Sequence, residues 1–280
     1  MQRLGIMQGR LVPPSDNRFQ CFPRERWADE FPLAAAAELD CIEWIFDLYG
    51  QDVNPLATDA GVQRLKSLAV QHGVEVLSIC ADYFMDRPLL RVDADEVERR
   101  VQTLIWLLHR AQLLGVNRLV MPFVDASGIH NETEMQTVVG LLRRVLPAAE
   151  ATRVELHLET ALDPPQFARL LAALPYPKIR VNYDSGNSSS LGYHPSDEFA
   201  AYGGRVGSVH IKDRVRGGGT VPLGTGDADL PALFECLQKV SYQGDFILQA
   251  ARGAPSDEVA WARQNRTFVV RHLQQIGVSP

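Results

Sequence analysis

The sequence predicts a single closed parallel α/β barrel, and three observations predict it. Eight short apolar runs alternate with eight longer amphipathic segments. Such alternation builds a parallel sheet, because each return to a parallel strand needs a crossover that a helix supplies, and eight strands are enough to close it. The chain's 280 residues also suit one barrel, whose usual size is about 250 residues. No low-complexity linker interrupts the pattern, so residues 1–280 read as one domain. An open doubly wound sheet is the runner-up, weakened because no Gly-rich dinucleotide fingerprint follows the first strand.

The expected strands are Leu4–Gly9, Cys41–Phe46, Glu75–Ala81, Arg118–Val124, Arg153–Thr160, Ile179–Gly186, Val206–Asp213 and Asp245–Ala251. Each is short, rich in apolar residues and followed by loop chemistry. The expected helices are Arg24–Leu39, Ala60–His72, Ala94–Leu114, Glu132–Ala151, Pro165–Ala173, Ser196–Tyr202, Leu230–Lys239 and Asp257–Gln275. In the third, Val97, Val101, Leu104, Leu108, Ala111 and Leu114 recur at helical spacing, and Gly115 supplies the stop.

Composition narrows the partners. Hydrophobic residues form 46% of the chain, enough for a substantial core. Twenty-eight basic against 34 acidic residues give net charge −6, which argues against nucleic-acid or membrane-surface binding. Cys21, Cys41, Cys80 and Cys236 are scattered without a C-x-x-C pair, as buried free thiols would be. No apolar leader or membrane-length stretch is present, so a cytoplasmic protein is expected. A homo-oligomer is compatible with all of this.

Chemistry in a barrel gathers at the C-terminal strand ends, and alternate strand residues point inward. In Val154-Glu-Leu-His-Leu-Glu159, the leucines share one face while Glu155, His157 and Glu159 share the other. Arg180, Asn182 and Asp184 alternate likewise, as do Ser208 and His210. Gln8, Glu43 and Gln249 hold late positions in strands one, two and eight. The lower residues Glu155, His157, Arg180 and Asn182 read as a self-satisfied polar network. Glu159, Asp184 and His210 read as a metal-type site: two carboxylates and an imidazole at one rim repel or lose hydration unless a cation joins them, and Mn²⁺, Mg²⁺, Zn²⁺ or Co²⁺ suits those donors. Trp44, Phe46, Tyr83 and Phe84 follow strand ends, where they serve as pocket walls or as packing. His130 and His194 read as surface loop residues.

Leu156-His-Leu-Glu159, Asn182-Tyr-Asp-Ser-Gly-Asn187, Val209-His-Ile-Lys-Asp213, Pro222-Leu-Gly-Thr-Gly226 and Tyr242-Gln-Gly244 resemble the xylose isomerase-like TIM barrel superfamily. That superfamily includes ketose 3-epimerases, hexulose-phosphate isomerases, inosose dehydratases and endonuclease IV. Gly5-Ile-Met-Gln-Gly-Arg-Leu11 and Ile42-Glu-Trp-Ile-Phe46 resemble its sugar phosphate isomerase/epimerase branch. The resemblance implies metal ligands at Glu159, Asp184 and His210, with the fourth at Gln249, where the family carries Glu. Gln offers a neutral carbonyl oxygen and cannot take a proton, so the divalent metal is expected to bind weakly or be lost. The resemblance also implies substrate contacts from Arg216, Asn187, Glu43 and Gln8.

The implied chemistry removes a proton next to a sugar or sugar-phosphate carbonyl, with Glu159 as base. Epimerisation needs a second proton carrier; Lys212 supplies that proton, neutralises an oxyanion, or forms a plain salt bridge to Asp213 or Glu159. With Gln249 in place, one-base isomerisation and dehydration of a polyol ketone stay open, as does a degenerate carbohydrate-binding barrel. The rim loop Asp213-Arg-Val-Arg-Gly-Gly-Gly-Thr220 reads either as a clamp for phosphate or hydroxyls or as a solvated loop. A multi-zinc endonuclease is disfavoured, because Ser78–Asp82 and Met121–Asp125 carry no histidine.

Overall fold

Every expected strand forms, and together they close. A computed structural model describes residues 2–15, 18–254 and 256–276. The strands are β1 (Leu4–Met7), β2 (Cys41–Ile45), β3 (Glu75–Cys80), β4 (Arg118–Phe123), β5 (Glu155–Thr160), β6 (Ile179–Asp184) and β7 (Val206–Ile211). A two-stranded hairpin follows, β8 (Asp213–Arg214) and β9 (Thr220–Val221), and β10 (Phe246–Leu248) completes the ring. Around the ring the order is β1-β10-β7-β6-β5-β4-β3-β2, with every neighbouring pair parallel. The open-sheet alternative is thereby excluded.

The helices are α1 (Glu30–Ala36), α2 (Asp59–His72), α3 (Tyr83–Asp86), α4 (Ala94–Leu114), α5 (Glu132–Thr152), α6 (Pro164–Ala173), α7 (Ser185–Leu191), α8 (Pro195–Tyr202), α9 (Leu230–Lys239) and α10 (Glu258–Gln275). Gly115 ends α4 at φ 94°, the left-handed geometry expected of it. Several boundaries need correction: the first and seventh strands end two residues early, at Met7 and Ile211, and the eighth three early, at Leu248. The first helix starts at Glu30 rather than Arg24. Pro32 explains this: it has no N–H to donate and its ring clashes with a preceding turn, so it fits only near a helix start. The sixth strand stops at Asp184 rather than Gly186, because the Asp184 carboxylate accepts from the Asn187 N–H and caps α7.

Strand periodicity sorts the core. Leu156 and Leu158 are fully buried on one face of β5. His157 and Glu159 on the other reach Ser208 and Asn182 across the ring interior, which identifies the inward face. Trp44 is buried among Phe22, Trp27 and Phe31, its indole N–H donating to Asn54 Oδ1 at 3.1 Å. Of the two readings for the strand-end aromatics, packing holds: Phe46, Tyr83 and Phe84 pack on one another, and none of the four lines the cavity at the C-terminal strand ends. The four cysteines are buried and unbonded to one another. Among the described residues, no helix is long and apolar enough to cross a membrane.

Candidate active site

Parallel register brings the rim residues together. Asp184 and His210 are register partners across β6 and β7. Leu158 pairs with Val181, which sets Glu159 beside Asn182, and Asn182 Nδ2 donates to Glu159 Oε2 at 2.7 Å. As a result, one oxygen each of Glu159 and Asp184 and a nitrogen of His210 lie within 4.8 Å of one another, all buried. His210 Nδ1 is 3.5 Å from Glu159 Oε2 and 3.8 Å from Asp184 Oδ2.

Glu43 does not reach the cavity. It spans the interior from β2, its Oε1 2.6 Å from His210 Nε2, while Ser78 Oγ donates to its other oxygen at 2.6 Å. That pairing fixes the imidazole and turns Nδ1 toward the two carboxylates, the arrangement that orients metal-binding histidines. Burial works against a charged His210, but the hydrogen-bonded Glu43 and the nearby Asp184 and Glu159 carboxylates raise its pKa to about 10. Burial and the neighbouring Asp184 raise the Glu159 carboxyl. Asp184 is held low despite its burial, because Lys212 and His210 face it. A divalent cation would relieve this crowding of buried carboxylates, and the donors present fit one.

β7 and β10 bring Lys212 against Gln249. Leu248 is the register partner of Ile211, and the Gln249 N–H donates to Ile211 O at 3.0 Å. Lys212 Nζ donates to Gln249 Oε1 at 3.2 Å, Asp184 Oδ2 at 3.3 Å and Asn187 Oδ1 at 3.3 Å. Gly186 makes room for its stem, since a Cβ there would sit 2.5 Å from Lys212 Cγ. Gln249 Nε2 points away, donating to Gln20 Oε1 at 2.8 Å, and Gln20 donates to Asp82 at 2.8 Å. The amide therefore presents its oxygen to the site.

Above these groups opens a cavity of about 350 Å³ lined by Glu159, Asn187, Lys212, Arg214, Gln249, Asp82 and others. Asn187 lines it, its Nδ2 donating to Glu159 Oε1 at 2.6 Å. Gln8 is buried below, its Oε1 accepting from the Ile45 N–H at 2.9 Å. Arg216 lies outside the lining, packed over the end of α7 at Gly192, and the cavity-facing arginine of that loop is Arg214. Period-two alternation from Lys212 marks Arg214 and Arg216 alike, and the turn that begins at Arg216 is what separates them. Gln20 and Asp82 had no such signal, because loop-to-loop contacts bring them in.

A closed parallel barrel with this cluster at its C-terminal strand ends defines a class. The xylose isomerase-like TIM barrel family model matches residues 31–270, and the chain belongs to that family. An L-ribulose-5-phosphate 3-epimerase of Salmonella paratyphi A is 26% identical over 273 residues, 91% of this chain and 92% of that protein. A solved L-ribulose 3-epimerase superposes with TM-score 0.76 at 20% identity, covering 98% of this chain and 95% of that one. The IOLI protein, solved with a bound zinc atom, gives TM-score 0.76 at 17% identity, covering 96% and 98%.

Proposed function

We propose that this protein is a sugar or sugar-phosphate epimerase that inverts a carbon next to a carbonyl by proton removal and return. The relatives' epimerase names support this reading, and one observation carries its chemistry. A single side chain, Asn187, spans two proton carriers, donating to Glu159 Oε1 at 2.6 Å and accepting from Lys212 Nζ at 3.3 Å. Gln249 cannot act as a base. Lys212 lies against its amide and takes over the second proton role.

Glu159 removes the proton from the carbon beside the carbonyl. The C–H electron pair moves into an enediolate and negative charge develops on the carbonyl oxygen. Lys212 then delivers an ammonium proton to the same carbon on the opposite face, giving the epimer. Glu159 is left protonated and Lys212 neutral, and exchange with solvent resets both. Burial, with Asp184 close by, raises the Glu159 carboxyl toward the working range of a general base. Asn182 and Asn187 hold its two oxygens in place.

A divalent cation held by Glu159, Asp184, His210 and the Gln249 oxygen would supply Lewis-acid stabilisation of the developing charge. The test is direct. Purified protein with Mn²⁺, Co²⁺, Mg²⁺ or Zn²⁺ is incubated with ketoses and their phosphates, and NMR follows the C–H next to the carbonyl. Appearance of the epimer, lost in Glu159→Gln, supports the reading. An aldose product, or loss of water, would overturn it.

A further inference from the structure

The charges around the cavity are sorted by strand. In an eight-membered ring of this order, β2 lies opposite β6 and β3 opposite β7. Asp47 follows β2, and Asp82 and Asp86 follow β3; all three line the cavity. Lys212 and Arg214 line it from the far side, after β7. The carboxylates that follow β2 and β3 thus face two cations that follow β7 and share their wall with Glu159.

Arg214 is the unusual member. Lys212 is countered by Asp184 at 3.3 Å, and Arg18, on the acidic side, stacks over Tyr49 in the field of Asp86. Among the described residues no carboxylate lies within salt-bridge distance of Arg214. Its partners are neutral: Nε and Nη2 donate to Gly218 O at 3.0 and 2.7 Å, and Nη1 donates to Asn187 Oδ1 at 3.1 Å. A guanidinium has five N–H donors, so these three bonds orient the group and leave two donors free. Its register partner Thr220 lines the same cavity. Space beside the hairpin is open, since a Cβ at Gly217 or Gly219 would meet nothing within 4 Å.

A half-buried, pre-oriented guanidinium without a counter-anion suits an anionic oxygen group, and its planar fork matches phosphate. We propose that Arg214, with Thr220, binds the phosphate of a phosphorylated ketose. The sugar hydroxyls then face the aspartates on the opposite wall. This fixes both the substrate class and its direction across the cavity. It also gives Asn187 a second duty, because the side chain that positions Glu159 also holds the phosphate-binding arginine.

The inference rests on the epimerase reading but is tested separately. Epimerisation kinetics are measured on pentulose and hexulose phosphates and on the unphosphorylated sugars, for the wild type, Arg214→Gln, Arg214→Lys and Arg18→Gln. Calorimetric binding of the same sugars and of inorganic phosphate runs in parallel. The wild type should favour the phosphorylated sugar by about 100-fold or more in kcat/KM, the scale of a charge-assisted bidentate contact. Arg214→Gln should lower kcat/KM for the phosphorylated sugar far more than for the free sugar and so remove most of that preference, with circular dichroism checking that the variant is folded. Arg214→Lys should keep part of it. Equal use of both sugar classes, an equal loss on both in Arg214→Gln, or a preference that depends on Arg18 instead would overturn the assignment. If no sugar turns over, the epimerase reading fails, and calorimetry still decides: phosphate-dependent binding lost in Arg214→Gln upholds the subsite, and binding indifferent to phosphate or to Arg214 removes it.

Discussion

His157 and His210 are both buried inside the barrel, two strands apart, and both contact a carboxylate, yet their surroundings drive them in opposite directions. His157 Nδ1 is 2.7 Å from Ser208 Oγ, and Nε2 is 3.0 Å from the half-buried Glu155. Burial lowers its pKa, the Glu155 hydrogen bond opposes that, and Arg118 and Arg180 push it down again. His210 faces Glu43, Glu159 and Asp184 together, and it is pushed up instead. The lower network is a chain of short polar contacts: Ser208 donates to Asn182 Oδ1 at 2.6 Å and lies 2.7 Å from His157 Nδ1, and Asn182 Nδ2 carries the chain up to Glu159. The upper cluster keeps an excess of carboxylates beside an open cavity. Burial of a histidine therefore says little about its role, and the balance of charge around it says a great deal.

The largest test of this contrast is replacement of each imidazole. His210→Asn should lower divalent-metal affinity by more than the roughly 10–100-fold typical of losing an outer partner of a metal ligand, and epimerisation should fall with it. His157→Gln should leave metal affinity near the wild-type value when both are titrated calorimetrically with Mn²⁺. A comparable loss in both variants would erase the distinction. Gln249→Glu sharpens it from the other side: the added carboxylate should raise Mn²⁺ affinity by about 10–100-fold, and unchanged affinity would remove Gln249 from the donor set.

A smaller effect is expected below the rim. Ser208→Ala should cost about 1–3 kcal/mol of stability, because it leaves buried partners on His157 and Asn182 unsatisfied, and denaturant unfolding measures it. The smallest effect is the pH response of metal-free protein. His157 and Glu155 both have lowered folded values. Their stabilisation is present above the unfolded values and is lost as pH falls through the folded ones. His210 is raised from 6.5 to about 10, so its contribution is complete below 6.5 and is lost as pH rises through about 10. Imidazole NMR titrations should show the two rings moving in opposite directions; parallel titration would contradict the charge balance drawn here.

Much of this was legible in the chain. Period-two alternation separated Leu156 and Leu158 from His157 and Glu159, and the same alternation in β6 and β7 marked Asp184 and His210. Strand order then followed from the helix crossovers. The limits were local and physical. Pro32 shortens α1 because of one missing N–H, and Asp184 ends β6 early because its carboxylate caps α7. Glu43 had been expected to touch substrate, but reaching His210 depends on a span across the ring that no local pattern records. Arg214 rather than Arg216 faces the cavity because the hairpin strand ends at Arg214 and the turn that begins at Arg216 breaks the alternation.

The central claim is that Glu159 and Lys212 carry protons on opposite faces of one carbon, and exchange into D₂O tests it most directly. Each epimer is incubated separately with the wild type, Glu159→Gln and Lys212→Met, and both exchange and epimer formation are followed. Lys212→Met should still exchange the proton of the epimer that Glu159 serves, yet form almost none of the other. Glu159→Gln should lose that exchange. Unimpaired epimerisation in Lys212→Met, or exchange of the same proton persisting in Glu159→Gln, would contradict the account.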